Sequence, residues 1–234
     1  MSEVRVRNYN PRISLDGPGI HYCKAVAALE AVRRSEPKVQ QLTLLMERYQ
    51  RKFDRSTAYF EDHPEQAERH AVNLEQIDGA LNLAFSPLIQ HSTLAHISCA
   101  CVLEAIVNQI ASEMLPGAAW TEFERMSTVA KWMTLPPLLG KAAFRMGASP
   151  MQAVCRVVRI RNQLTHFKPV AERWVPSTPP VFLSKLGLSA AEVARSVDQT
   201  ATSIGCLCTG LGHDVPDWLA GQAVSFLHMR NWDD

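Results

Sequence analysis

Apolar positions along this chain recur mainly three and four residues apart, the spacing of helices that bury one face. Val39, Leu42, Leu45, Met46, Tyr49 and Phe53 form such a stripe on a charged background and predict a helix over about residues 37–60. A shorter apolar stretch before it predicts a helix over about residues 21–34, ending ahead of Pro37. Residues 65–85 read as a polar helix rich in Glu, Gln and His. Ser86-Pro87 then gives an N-cap with proline at the first helical position. It opens a long apolar helix that runs to Leu115 and closes at Pro116-Gly117. Three pairs have capping-box spacing: Thr121 with Glu124, Ser149 with Gln152, and Ser189 with Glu192, the last before a helix to about Leu207. Pro169, Pro176, Pro179 and Pro180 rule out continuous helix between residues 167 and 189. The first twenty residues are polar and end in the turn cluster Asp16-Gly17-Pro18-Gly19; only Val4 to Arg7 alternates like a strand. No internal repeat is present. The pattern predicts an all-α helical bundle, with residues 1–85 as a helical N-terminal extension and residues 86–234 as the main bundle, or the two as one continuous domain.

The helix opened at Ser149 is predicted to continue to Lys168, because the residue before Pro169 avoids helical geometry. Val157, Ile160, Leu164 and Phe167 share one stripe and should face the core. The same turns carry Arg161, Asn162 and His166, which a core does not need. At about 100° per residue, Asn162 and His166 lie together, while Arg161 and His166 diverge by roughly 140°. Bringing those two to one point takes a distorted last turn, a long reach by the arginine, or a second subunit. Near the carbonyl end of its helix His166 gains a few tenths to roughly 1 kcal/mol as imidazolium, which suits a group acting as acid as well as base.

Composition narrows the setting. The chain has 234 residues, 47% of them hydrophobic and 20% charged, with a net charge of +1. That is the balance of an ordinary globular protein, without the global charge that grips nucleic acid or membrane. Locally the balance breaks. Arg125, Lys131, Lys141, Arg145, Arg156, Arg159, Arg161 and Lys168 fall in a stretch with no Asp or Glu. Either this forms a groove that attracts a polyanion, or acidic helices elsewhere, such as residues 61–75, neutralise it. Cys23, Cys99, Cys101, Cys155, Cys206 and Cys208 lack zinc-site spacing, and His213 five residues after Cys208 is a faint metal signal beside the expectation of small core residues. His63, His70, His91 and His96 are spaced poorly for chelation and read as solvated or core histidines. Trp120, Trp132, Trp174, Trp218 and Trp232 are scattered and read mostly as core or interface anchors. No hydrophobic leader and no apolar run of membrane-spanning length is read, so the expected location is cytoplasmic, with reduced thiols.

Arg161-Asn162-x-x-x-His166 near the end of an apolar helix resembles the R-x4-6-H signature of the HEPN superfamily, helical bundles that include many metal-independent ribonucleases. The polar residue after the arginine fits that pattern. Leu103-Glu104-Ala105-Ile106-Val107-Asn108 is similar to the acidic-and-amide helix that packs on the motif helix in that superfamily. Glu104 and Asn108, four apart, share a face that could point at Arg161. The resemblance covers about residues 86–210. It implies an endoribonuclease of the toxin or phage-defence type, working on RNA as a homodimer without metal or other cofactor. In that reading Arg161 holds the scissile phosphate, His166 moves a proton and Asn162 orients one of them, with Glu104, Asn108 and Thr165 in support. Arg159, Lys168, Arg156 and Lys141 would then bind the RNA backbone, and an antitoxin or regulatory protein is a candidate further partner. The alternative is a non-catalytic HEPN-like module that binds nucleotide or a partner protein.

Overall fold

The structure is a computed structural model, and it describes residues 11–166, 181–221 and 227–231. It is an all-α bundle with a short two-stranded ribbon appended. The elements are β1 (Pro11–Leu15), α1 (Gly17–Arg55), α2 (Thr57–Asp62), α3 (Pro64–Met114), α4 (Gly117–Glu124), α5 (Thr128–Leu138), α6 (Ser149–Thr165), α7 (Val181–Lys185), α8 (Ala190–Leu211), a 3-10 turn (Asp217–Ala220) and β2 (Leu227–Asn231). The strands β1 and β2 pair antiparallel, with Pro11 opposite Asn231 and Leu15 opposite Leu227. The alternating Val4 to Arg7 and the prolines from Pro169 to Pro180 lie outside the described residues.

Two long helices replace four expected ones. Pro37 lies inside α1 and Pro87 inside α3. A helical proline frees the carbonyl four residues earlier, at Arg33 and Leu83 here. Both of those residues are exposed, Leu83 to 77%, so water can satisfy the freed groups. Ser86 is consequently a mid-helix residue and not an N-cap, and the expected boundary between residues 85 and 86 falls within one unbroken helix. The α1 and α3 helices pack on each other more extensively than any other pair. Ala25, Leu29, Val32, Val39 and Leu42 of α1 face Leu81, Leu88, Ala95 and Cys99 of α3 in a single core cluster.

Capping follows the sequence at one place and shifts at two. Ser189 caps α8 by accepting from the Glu192 amide at 3.3 Å, and Glu36 of α1 accepts from the neighbouring Ala190 amide at 3.2 Å. Thr121 sits within α4, its hydroxyl bonded back to the Gly117 carbonyl. The cap of α5 is Ser127, which accepts from the Ala130 amide. Ala148, not Ser149, caps α6, without a side-chain bond. The α8 helix runs past Leu207 to Leu211 and stops at Gly212, where φ is +73° and the His213 amide reaches back to the Cys208 carbonyl at 2.8 Å.

The α3 helix is long and apolar enough to cross a membrane, contrary to the expectation that no such run exists. However, 61% of its most apolar window is buried inside the fold, as in the core helix of a globular bundle. Trp132 and Trp218 are buried and Trp120 half-buried, as expected of anchors; Trp174 and Trp232 lie outside the described residues. Cys99 and Cys208 are core thiols, and burial pushes Cys99 up to about 12, but Cys23 and Cys206 are exposed. His213 pairs with Glu113 at 3.6 Å.

One polar clamp holds α8 and its approach onto the core. Ser92 donates to the Leu188 carbonyl at 2.7 Å, and His96 Nε2 lies 2.7 Å from the Gly187 carbonyl. That carbonyl accepts, so Nε2 carries the proton and the ring donates through it. The turn needs Gly187, whose φ is +66°. His96 is fully buried, and its pKa is lowered chiefly by burial, opposed by the Gly187 bond, with Arg156 lowering it further and Glu192 raising it. A histidine held neutral in the fold but free to protonate when unfolded stabilises fully above its unfolded pKa of 6.5. That contribution declines as pH falls from there towards the depressed folded value. Urea melts between pH 7.5 and 5.5 should therefore show stability falling with acidification, and His96→Gln should flatten that slope while lowering stability at pH 7.5 by roughly 1–3 kcal/mol.

Candidate functional site

The motif helix α6 is positioned by its apolar stripe. Val154, Val157 and Ile160 are buried and Leu164 is half-buried, so the core face is as the periodicity requires; Phe167 lies outside the described residues. The helix ends at Thr165, short of the expected Lys168, and His166 is its C-cap, with its amide donating to the Asn162 carbonyl at 3.0 Å. Lys168 lies outside the described residues.

Asn162 and His166 share one open hollow of about 520 Å³, together with Arg159, Gln163, Cys155, Val158 and, from α5, Val129. Arg161 is not among its walls. It lies within electrostatic range of Cys101 on α3. The Cys101 thiol is raised first by burial and then by Glu104, while Arg161 and Lys24 pull it down. The divergence of Arg161 and His166 expected from helical geometry is thus present in the fold, without a bend that brings them together. Thr165 turns its hydroxyl back onto the Arg161 carbonyl at 2.9 Å, a bond within its own helix.

The helix expected to support the motif does something else. Glu104 accepts from Thr128 Oγ1 at 3.1 Å and pairs with Lys131 Nζ at 3.5 Å, so both its oxygens serve the first turns of α5. Lys131 is almost fully buried, which makes this pair a structural rivet: an ammonium there needs its carboxylate. Glu104 therefore does not bond Arg161. Asn108 lies one turn further on, half-buried, with its Oδ1 buried and unbonded among the described residues.

Arg156, expected on the RNA, is likewise consumed inside the fold. It pairs with Glu192 and donates to Ser196 Oγ and Gln199 Oε1, each at 3.1 Å, which ties α6 to α8. The acid-free stretch is thus partly neutralised, but by Glu104, Glu192 and Glu122 (on Arg125) rather than by residues 61–75. Among the described residues Lys141, Arg145, Arg159 and Arg161 have no carboxylate within ion-pair distance. Arg159 and Lys141 are exposed and free to meet an anion. The sequence did not single out Lys24 or Val129, and it read Lys131 only as part of the basic stretch and Cys155 only as a small core residue. Only Lys131 carried a signal, being three residues after Thr128 in a helix otherwise apolar enough to be buried.

Compared with known proteins, the chain matches no family model, no curated protein and no solved structure.

The environments of Lys131 and Arg161 differ in a measurable way. Glu104→Ala strands a buried ammonium and should cost roughly 2–4 kcal/mol in urea unfolding. Arg161→Ala removes a side chain with no bonded partner among the described residues and should cost less than about 1 kcal/mol.

Proposed function

We propose that the protein is a metal-independent endoribonuclease whose catalytic residues are Arg161 and His166, assembled across a homodimer. The observation that carries this reading is the partition of polar groups on α6. Arg156 is spent on α8, whereas Arg161 and His166 make no side-chain hydrogen bond or ion pair among the described residues. A guanidinium brought to a bundle surface unpaired is available for a phosphate, which it meets with two parallel N–H donors. An exposed imidazole at a helix C-terminus is available for a proton.

In this mechanism the 2′-hydroxyl of the substrate attacks the adjacent phosphorus and the bond to the 5′-oxygen breaks. One proton leaves the 2′-oxygen and one reaches the departing 5′-oxygen, giving a 2′,3′-cyclic phosphate and a 5′-hydroxyl. The single His166 of each site moves one of these protons and solvent water exchanges the other. Arg161 stabilises the added negative charge on the phosphorane oxygens. Asn162, one helical turn from His166 in the same hollow, orients the imidazole or the phosphate. Arg159 and Lys141 hold the flanking backbone. Because Arg161 and His166 diverge on one helix, each site takes its arginine from one copy and its histidine from the other. The resemblance to HEPN proteins adds a cytoplasmic toxin or phage-defence role, with an antitoxin or regulator as a further partner.

One observation favours a second reading, a non-catalytic module that binds nucleotide or protein: the hollow beside His166 is walled largely by Val129, Val158 and Cys155, a surface that also suits a partner side chain.

Purified protein incubated with RNA in EDTA should release cyclic-phosphate ends, and Arg161→Ala and His166→Ala should each lower the rate at least about 100-fold. Mixing the two inactive variants after subunit exchange should recover up to about a quarter of wild-type activity, since half the dimers then carry one intact composite site. Cleavage undiminished in both variants, or none by wild type, would sink the enzyme reading. No recovery on mixing active-fold variants would sink the composite site alone.

A further inference from the structure

Some 34 residues before Glu104 on α3, about 50 Å along the helix axis, the hairpin of α1 and α3 carries a second and different concavity. Its volume is about 350 Å³, within the range of small-molecule sites. Arg48, Tyr49 and Lys52 of α1, Phe60 of α2, and Gln66, Arg69, His70 and Asn73 of α3 line it. His70 is only 6% exposed, yet among the described residues neither Nδ1 nor Nε2 has a hydrogen-bond partner. Its ring is held by Tyr49, Phe53 and Phe60, with centroids 5.4, 5.6 and 5.2 Å away. Aromatic faces fix an imidazole but cannot satisfy it, and a buried polar group left unbonded costs roughly 1–3 kcal/mol.

The rim explains what the imidazole faces. Arg48, Lys52 and Arg69 are exposed cations with no carboxylate at ion-pair distance among the described residues. The nearby acids have their own partners or lie off the pocket: Glu47 pairs with Arg51, and Asp54 accepts from Gln50. Among the described residues no Asp or Glu lines the cavity. Three unpaired cations, two amides and an unbonded imidazole thus converge on a hollow whose other walls are Tyr49 and Phe60.

We infer that this pocket binds a small phosphate monoester that also bears a planar ring. The phosphate meets Arg48, Lys52 and Arg69, the ring lies against Tyr49 and Phe60, and His70 makes its missing hydrogen bond to the ligand. Neither Arg161 nor His166 takes part, so the site stands or falls independently of the ribonuclease reading.

Isothermal titration of the full chain with adenosine 5′-monophosphate, cytidine 5′-monophosphate, adenosine and inorganic phosphate tests this. The expected result is that at least one monophosphate binds at least about ten-fold more tightly than either adenosine or phosphate alone. Arg69→Ala and Lys52→Ala, both surface changes that leave the core intact, should each weaken it about ten-fold. His70→Phe should weaken it while raising the unfolding midpoint of the free protein, because an unsatisfied group is removed. His166→Ala should leave it unchanged. The inference is overturned if no monophosphate binds at millimolar concentration, if phosphate alone binds as tightly, or if the pocket variants bind like wild type.

Discussion

The middle of α3 has almost no face to show to water. Ala95, Cys99, Val102, Leu103, Val107 and Ala111 are completely buried, and Leu88, Ala100, Ile106 and Ile110 nearly so. These positions run round the helix instead of forming one stripe, so neighbours must cover it from several sides. The α1 helix takes one side, α5 another, and α6 and α8 the rest. Ser92, His96 through Nε2, and Glu104 find partners within the bundle, and those bonds mark where the chain turns. Ser92 and His96 face the two carbonyls of Gly187 and Leu188, and the Leu103 carbonyl takes the Trp132 indole N–H at 2.9 Å. The clamp sets where α8 begins, and the indole sets how close α5 approaches.

Charge follows from the same burial. Lys131 is carried inside by its neighbours Trp132 and Leu135, and only Glu104 makes that tolerable. Arg156 bridges α6 to three polar side chains of α8 at a half-buried seam. Once these demands are met, Lys141, Arg145, Arg159 and Arg161 remain without a carboxylate among the described residues. Those that remain are the ones for which the fold has no use, and a cation the fold does not use is the better candidate for a ligand.

Much of this was legible in the residues. The stripe of Val154, Val157 and Ile160 fixes which way α6 faces, and Ser189 with Glu192 marks the start of α8. The prolines misled for a definable reason: Pro37 and Pro87 punctuate a helix only if the carbonyls they free cannot reach water, and exposure is a tertiary property. Glu104 misled similarly. Its spacing from Asn108 puts both on one face, but which neighbour comes to that face depends on the docking of α5, which no local pattern encodes. His70 reads as one more histidine in a polar helix, and only the return of α1 and α2 surrounds it with Tyr49, Phe53 and Phe60. The i, i+4 spacing of Tyr49 with Phe53, beside that of Arg48 with Lys52, was its one sequence signal.

The position of Arg161 constrains any chemistry on α6 more than its identity does. It stands on the side of α6 within electrostatic range of Cys101 on α3. His166 stands at the end of the same helix, over a hollow walled by α5 and α6. The hydrogen bond from the His166 amide to the Asn162 carbonyl keeps that end helical, so backbone unwinding does not close the gap of roughly 140°. A substrate phosphate in contact with both groups must therefore lie across the end of α6 or between two copies of it. In the homodimer proposed above, a twofold axis near that end would place the arginine of each copy beside the histidine of the other without disturbing either helix.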